Sequence, residues 1–258
     1  MRIFDLHNDL ITSEVDFGNA ENIIQSDRDN DREILYAVWA TKLNLSDFTE
    51  KSRFLSDRGR YSVEDASVVG EEFDALLTEN LACCSLTWNY NNALAGGAYE
   101  NGDLTEHGEK FVDYLNDKDV IIDLSHLNER SFYSVIIRAK RVVATHSGIF
   151  SNKKCLRNLK YSQVREIIEN DGLVGLTPVP KFVRNGDEHG YFDTIYRFID
   201  KFGCDNVAIG TDFYGSDPIK GLENYDELVQ KVEFFISKRY GASCAKKLLY
   251  ENAERFFE

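Results

Sequence analysis

Six residues with metal-binding or acid–base side chains stand just after short apolar runs of this 258-residue chain. The first run leads into His7-Asn8-Asp9, the third into Glu64-Asp65, the fifth into Ser125-His126, the sixth into Thr145-His146 and the eighth into Thr211-Asp212. Imidazole nitrogens and carboxylate oxygens are the donors that zinc takes at about 2.0–2.2 Å, and a catalytic zinc keeps one position open for water. His7 and Asp9 are two residues apart, a spacing that puts both on one side of a strand and could turn both toward a single ion. Glu64 could bridge to a second ion completed by His126 and His146. Two ions about 3.5–4 Å apart can activate water and polarise a carbonyl or phosphoryl oxygen. Two dications would also neutralise Asp9, Glu64, Asp212 and one hydroxide, whereas the converging carboxylates alone would repel. Each residue taken singly reads more readily as a cap, a turn residue or a core hydrogen bond. Their shared position at run ends is what points to a metal centre. The remaining histidines, His107 in a helical pattern and His189 in a turn-like stretch, read as surface residues.

Such a centre needs elements whose ends meet. Apolar or β-branched runs recur at 2–6, 34–40, 60–63, 81–86, 120–124, 141–144, 173–176 and 207–209. Helical patterns fall at 71–78, 105–116, 129–139, 162–169, 191–202, 225–239 and 242–257. Runs such as Val120-Ile121-Ile122 are apolar without alternation, as strands covered on both faces are. Thr105 and Ser162 precede helical patterns as N-caps would, and Glu106 and Glu109 put negative charge in a first turn. Eight strands alternating with helices over about 250 residues predict an α/β fold, a (β/α)8 TIM-like barrel, with the site at the C-terminal ends of its strands. The alternative, a doubly wound open sheet, lacks its usual GxGxxG after the first strand. No Pro- or Ser-rich linker interrupts the chain, so residues 1–258 are expected to form a single domain.

Composition narrows the partners. A net charge of −14 opposes a phosphate backbone, so no nucleic-acid partner is expected. No apolar run reaches the roughly 20 residues that span a bilayer, and the chain enters a strand-like run directly after Met1, without a signal-peptide pattern. Five cysteines, an odd number with no CxxC pair, read as reduced thiols. These features together predict a cytoplasmic protein.

The sequence resembles the membrane (renal) dipeptidase family of metallopeptidases, within the amidohydrolase-like barrel superfamily. The likeness runs through Asp5-Leu6-His7-Asn8-Asp9, Val63-Glu64-Asp65-Ala66, Ser85-Leu86-Thr87-Trp88-Asn89-Tyr90, Leu104-Thr105-Glu106-His107-Gly108, Ile122-Asp123-Leu124-Ser125-His126, Ala144-Thr145-His146-Ser147, Leu156-Arg157-Asn158, Gly210-Thr211-Asp212-Phe213 and Glu251-Asn252-Ala253-Glu254-Arg255-Phe256. By that resemblance, His7 and Asp9 bind a first zinc, Glu64 bridges two zincs, and His126 and His146 bind the second. Asp212 carries the proton from the attacking water to the departing amine, and Arg157 grips the substrate carboxylate through its planar fork. The resemblance implies a binuclear zinc hydrolase in which a metal-bridging hydroxide attacks a dipeptide. The family often dimerises, which leaves a homodimer open.

Three departures from the family pattern stand out. Trp88 replaces a histidine that contacts the substrate carbonyl, and loss of one such donor typically costs about 10²–10³ in rate. Trp88 and its neighbour Asn89 are therefore the substrate-facing residues in question. Tyr214 stands where an acid is common. The chain is also compact, with a helix and loops before Glu64 expected to be shortened. An altered pocket could serve another small amide, a lactone or a phosphoester, or could retain ligand binding with weak catalysis.

Overall fold

The computed structural model describes residues 1–258 and closes eight parallel strands into one barrel, β1-β2-β3-β4-β5-β6-β7-β8. The strands are β1 (Ile3–Asn8), β2 (Arg32–Trp39), β3 (Tyr61–Glu64), β4 (Leu81–Ser85), β5 (Ile121–Asp123), β6 (Val142–Ser147), β7 (Leu173–Leu176) and β8 (Val207–Ile209). All eight coincide with the apolar runs of the sequence. The (β/α)8 barrel is the fold of this chain.

Alternation along the strands divides the core in two. Phe4, Leu6, Leu35, Cys83, Ile121, Val143, Leu173 and Ala208 form one cluster with Tyr250, Ala253 and Phe257 of the C-terminal helices. Their neighbours, among them Ile3, Ile34, Ile122 and Val142, join a larger cluster with the surrounding helices. Successive residues of a strand point to opposite faces, so the smaller cluster fills the barrel and the larger one lies between barrel and helices.

The helices are α1 (Phe17–Asp29), α2 (Leu45–Ser56), α3 (Glu106–Asp117), α4 (Glu129–Ile136), α5 (Tyr161–Glu169), α6 (Glu188–Phe202), α7 (Tyr225–Tyr240), α8 (Ala242–Lys246) and α9 (Asn252–Phe257). A π-helical stretch, Lys247–Glu251, joins the last two. The periodicity of the sequence misses α1 and α2, both predominantly polar. Each is nevertheless capped as expected of a helix, Asp16 accepting from Asn19 N and Asn44 from Asp47 N. The helix expected at 71–78 is only a 3-10 turn, Phe73–Ala75, so the shortened unit lies between β3 and β4 and not between β2 and β3. Thr105 caps α3 as expected. Ser162 does not cap α5. That helix starts at Tyr161, with the Gln163 side chain accepting from Lys160 N at 2.9 Å.

Candidate metal centre

The six residues singled out by position converge at the C-terminal ends of the strands, all buried. His7 lies in a stretch of β1 where the register with β2 shifts, between Asp5 and Asn8. Asp9 is past the strand, at the start of a 3-10 turn, and its N–H donates to Phe213 O at 2.9 Å. The turn, not strand alternation, brings Asp9 beside His7, which corrects the two-residue spacing argument. Glu64 ends β3 and His146 sits within β6. His126 and Asp212 have φ of +69° and +59°. Non-glycine residues avoid that region at a cost of about 1–2 kcal/mol, and such strain collects where surrounding structure holds a side chain for use.

Glu64 faces both halves of the cluster. Its Oε2 is 3.0 Å from His7 Nε2 and its Oε1 is 3.1 Å from His126 Nε2. His7 Nε2 is also 3.3 Å from Asp9 Oδ2, yet neither ring nitrogen of His7 makes a well-directed hydrogen bond. His126 Nε2 and His146 Nε2 lie 2.8 Å apart. Their outer nitrogens decide what that closeness means. His126 Nδ1 lies 3.0 Å from Asn89 Oδ1, an acceptor, so the proton belongs on Nδ1. His146 Nδ1 lies 2.9 Å from Thr145 Oγ1, whose own hydrogen is committed to Asp123 Oδ2 at 2.5 Å. Both Nε2 atoms therefore present lone pairs to each other. Two lone pairs at that distance repel, and a cation between them and Glu64 removes the conflict. The residues present fit a bound metal ion on this ground.

Electrostatics agree in direction. Burial, aided by Asp9, pushes the Asp212 carboxyl well above the usual carboxylate range, and burial pushes Glu64 up as well. Burial, with Arg157 and His7 nearby, pushes His126 and His146 down. These four groups are driven toward neutrality, whereas His7, against burial, is held above the usual imidazole range by Asp9 and Glu64; bound dications reverse the tendency of the carboxylates and of His7.

Two matching clasps hold the cluster in place. Asp5 in β1 accepts from His7 N at 3.2 Å, Thr211 N at 2.7 Å and Thr211 Oγ1 at 2.5 Å. Asp123 in β5 accepts from Ser125 N at 2.9 Å, Thr145 N at 3.1 Å and Thr145 Oγ1 at 2.5 Å. Each threonine immediately precedes a cluster residue, Asp212 or His146. Asp5, Asp123, Thr145 and Thr211 are not among the candidate site residues of the sequence. The signal was present as a repeat, Asp-Leu ahead of both His7 and His126, and Thr ahead of both His146 and Asp212.

A cleft of about 200 Å³ opens onto the cluster, lined among others by Trp39, Trp88, Asn89, Tyr99, Arg157 and Lys181. It shares Tyr99, His126 and Arg157 with an adjoining groove of about 1090 Å³. Arg157 is 4% exposed, not the surface residue its lysine-rich surroundings suggest. Its Nη2 donates to His146 O at 3.1 Å and its Nε has no partner. Asn89 lines the cleft while its oxygen is engaged by His126. Trp88 is half-buried, its ring 6.3 Å from that of His126 and 5.2 Å from that of Trp39. Gly215 lines the same cleft, and a Cβ there would collide with the carboxylates of Asp9 and Asp212. His189 is exposed as expected, and His107 is half-buried on α3, 2.8 Å from Gly70 O.

The family model of membrane dipeptidase, peptidase family M19, matches residues 59–258. An uncharacterised Klebsiella pneumoniae protein, encoded 5′ of pqqA, is 28% identical over 71% of this chain and 73% of its own length. Among solved structures, the dipeptidase AC, a metallopeptidase of family M19, superposes with a TM-score of 0.87 at 20% identity, over 100% of this chain and 98% of that one. A metallopeptidase from Rhodobacter sphaeroides, solved with a phosphinate mimic of the dipeptide L-Ala-D-Ala, gives 0.87 at 19% identity over the same shares. No helix of the chain is long and apolar enough to cross a membrane.

Proposed function

The chain belongs to the membrane dipeptidase family of metallopeptidases, and from that premise we propose that it is a binuclear zinc hydrolase of dipeptides. The observation that carries the metal pair is the facing of His126 Nε2 and His146 Nε2 at 2.8 Å, both as lone pairs, beside a Glu64 whose two oxygens reach separate histidines. In this reading His7 and Asp9 hold one ion, His126 and His146 the other, and Glu64 spans both. Two such ions supply an activated water and positive charge for the carbonyl oxygen.

The remaining chemistry belongs to the chain. Asp212, unprotonated when dications would occupy the cluster, takes one proton from the attacking water and delivers it to the departing amine. Ser216 Oγ donates to Asp212 Oδ2 at 2.8 Å and fixes the carboxylate's orientation. Arg157, buried with an unpartnered Nε, receives the substrate's terminal carboxylate and sets its register. Asn89 orients His126 as well as lining the cleft. Residues 1–258 act as one hydrolase domain on a small substrate, with no nucleic-acid or membrane partner, in the cytoplasm.

The test is amino-acid release from a panel of L,L and L,D dipeptides by protein reconstituted with two equivalents of zinc. Turnover of some members, abolished in Glu64→Gln, is the expected result. Two bound zincs with no turnover of any dipeptide would overturn the substrate assignment. Because Trp88 occupies the cleft wall, the next substrates to try would then be other small amides, lactones and phosphoesters. Zinc binding without turnover of any of these would leave a ligand-binding barrel.

A further inference from the structure

The chain contains two tryptophans, and both stand in the wall of the same 200 Å³ cleft. Trp39 ends β2, where its indole N–H donates to Thr41 Oγ1 at 2.7 Å. Thr41 Oγ1 in turn donates to Asp65 Oδ2 at 3.0 Å, so the ring is braced from behind. Trp88 follows β4 and lies 5.2 Å from Trp39, centroid to centroid, at 45°. The series continues through Tyr90, 5.8 Å from Trp88, to Tyr99, 6.2 Å from Tyr90. Tyr90 and Tyr99 are 53% and 44% exposed, and both tryptophans are half-buried. Core aromatics would be covered. Trp39, Trp88 and Tyr99 keep accessible surface in the cleft beside the candidate metal centre, and Tyr90 links the last two. Val179 and Phe182 line the same cleft, so its apolar surface does not come from the tryptophans alone.

We propose that Trp39 and Trp88, with Tyr99 at the join to the larger groove, form a binding wall that selects substrates carrying an aromatic or large aliphatic side chain. The proposal rests on reading the cleft as a peptide site. Its chemistry is specific. Rings about 5–6 Å apart offer faces and edges to a third ring in offset or edge-to-face contact. The indole of Trp88 can donate one hydrogen bond but carries no charge, so it replaces an electrostatic contact with an area for apolar burial. Burial of a large side chain there discriminates against alanine by roughly 10–100-fold in kcat/KM, the range hydrophobic pockets reach.

The two tryptophans also make the site report on itself. With the zinc-loaded protein, dipeptides are compared in which either residue is alanine, cyclohexylalanine or phenylalanine. In parallel, tryptophan fluorescence is titrated with free phenylalanine and free alanine. The expected result is a preference for the large side chain at one position, reduced to less than about threefold in Trp88→Ala and retained in Trp88→Phe. Phenylalanine should change the emission at concentrations where alanine does not. Equal selectivity in wild type and Trp88→Ala, or identical titrations with the two amino acids, would overturn the wall. Far-ultraviolet circular dichroism, which does not depend on the removed indole, shows that each variant keeps its fold. If no dipeptide is cleaved yet phenylalanine alone shifts the emission, the wall stands and the dipeptidase reading falls. Cleavage without size preference gives the reverse.

Discussion

The clasps of Asp5 and Asp123 are built from the same parts and deliver different chemistry. Each carboxylate accepts the N–H of the residue two places on, together with the N–H and hydroxyl of a threonine, within β6 for Thr145 and just past β8 for Thr211. Beyond the threonine they diverge. Thr145 Oγ1 accepts from His146 Nδ1, so this clasp fixes a tautomer and aims a lone pair inward. Thr211 Oγ1 accepts instead from Phe213 N at 3.2 Å, and Asp212 depends on Ser216 for its side-chain bond. The Asp5 clasp is also more enclosed, with Tyr225 OH donating to Oδ2 at 2.7 Å and burial pushing the Asp5 carboxyl up to about 6. In the proposed reading, the Asp123 clasp steadies a metal donor, His146, whereas the Asp5 clasp steadies the proton carrier Asp212 together with the backbone of His7. The ring hydrogen bond past the threonine is present only on the Asp123 side.

The largest effect should come from replacing the delivered residues themselves. Asp212→Asn removes the proton carrier while leaving the fold around it, and kcat/KM should fall by about 10³, within the usual range for general acid–base groups. Zinc content should stay at two per chain. His146→Asn should lose one zinc along with activity. Metal analysis beside the kinetics decides the matter, and loss of zinc in Asp212→Asn would erase the division of labour between the clasps.

A smaller effect should follow from cutting each clasp at its threonine. Thr145→Val frees His146 Nδ1 and should weaken zinc by roughly 10–100-fold in chelator competition, as loss of a partner behind a ligating histidine does. Thr211→Val leaves a buried carboxyl short of a donor, which costs about 1–3 kcal/mol of folding stability. It should leave zinc affinity within about threefold of wild type, since that partner does not lie behind a ligating histidine. Denaturant titration and chelator competition on both variants test the contrast. Equal losses of zinc affinity would mean that the clasps are merely structural.

The same contrast explains what the sequence made legible. All eight strands and the positions of His7, Glu64, His126, His146 and Asp212 at strand ends could be read, because buried parallel strands are apolar runs and the residues following them break the pattern. Helices α1 and α2 could not be read by periodicity, since Asn19, Glu21, Asn22 and Gln25, and likewise Asp47, Thr49, Glu50 and Lys51, leave too few apolar positions; only the caps Asp16 and Asn44 mark them. The clasps escaped because Asp5 and Asp123 act on threonines 206 and 22 residues away; closure of β1 on β8 creates the first pairing and the parallel pairing of β5 with β6 the second. Trp39 escaped for a similar reason. It ends an apolar run like any core aromatic, and only the register of β2 beside the cleft gives its ring a second use.

The finest distinction lies in Ser216. Its hydroxyl favours the charged form of Asp212, which burial and Asp9 disfavour. Removing it in Ser216→Ala therefore raises the Asp212 pKa further. In the free enzyme Asp212 must be unprotonated to accept a proton from water, so activity rises with pH through that value. The acid limb of the kcat/KM profile should move to higher pH by less than about one unit, the reach of one hydrogen bond to a carboxylate. Plateau activity should stay within about threefold. Thr145→Val, which acts on the metal side, should lower activity at limiting zinc without moving that limb. A shift of the limb in Thr145→Val equal to that in Ser216→Ala would show that both clasps tune one shared titration, and the separation of metal donor from proton carrier would fail at its most sensitive point.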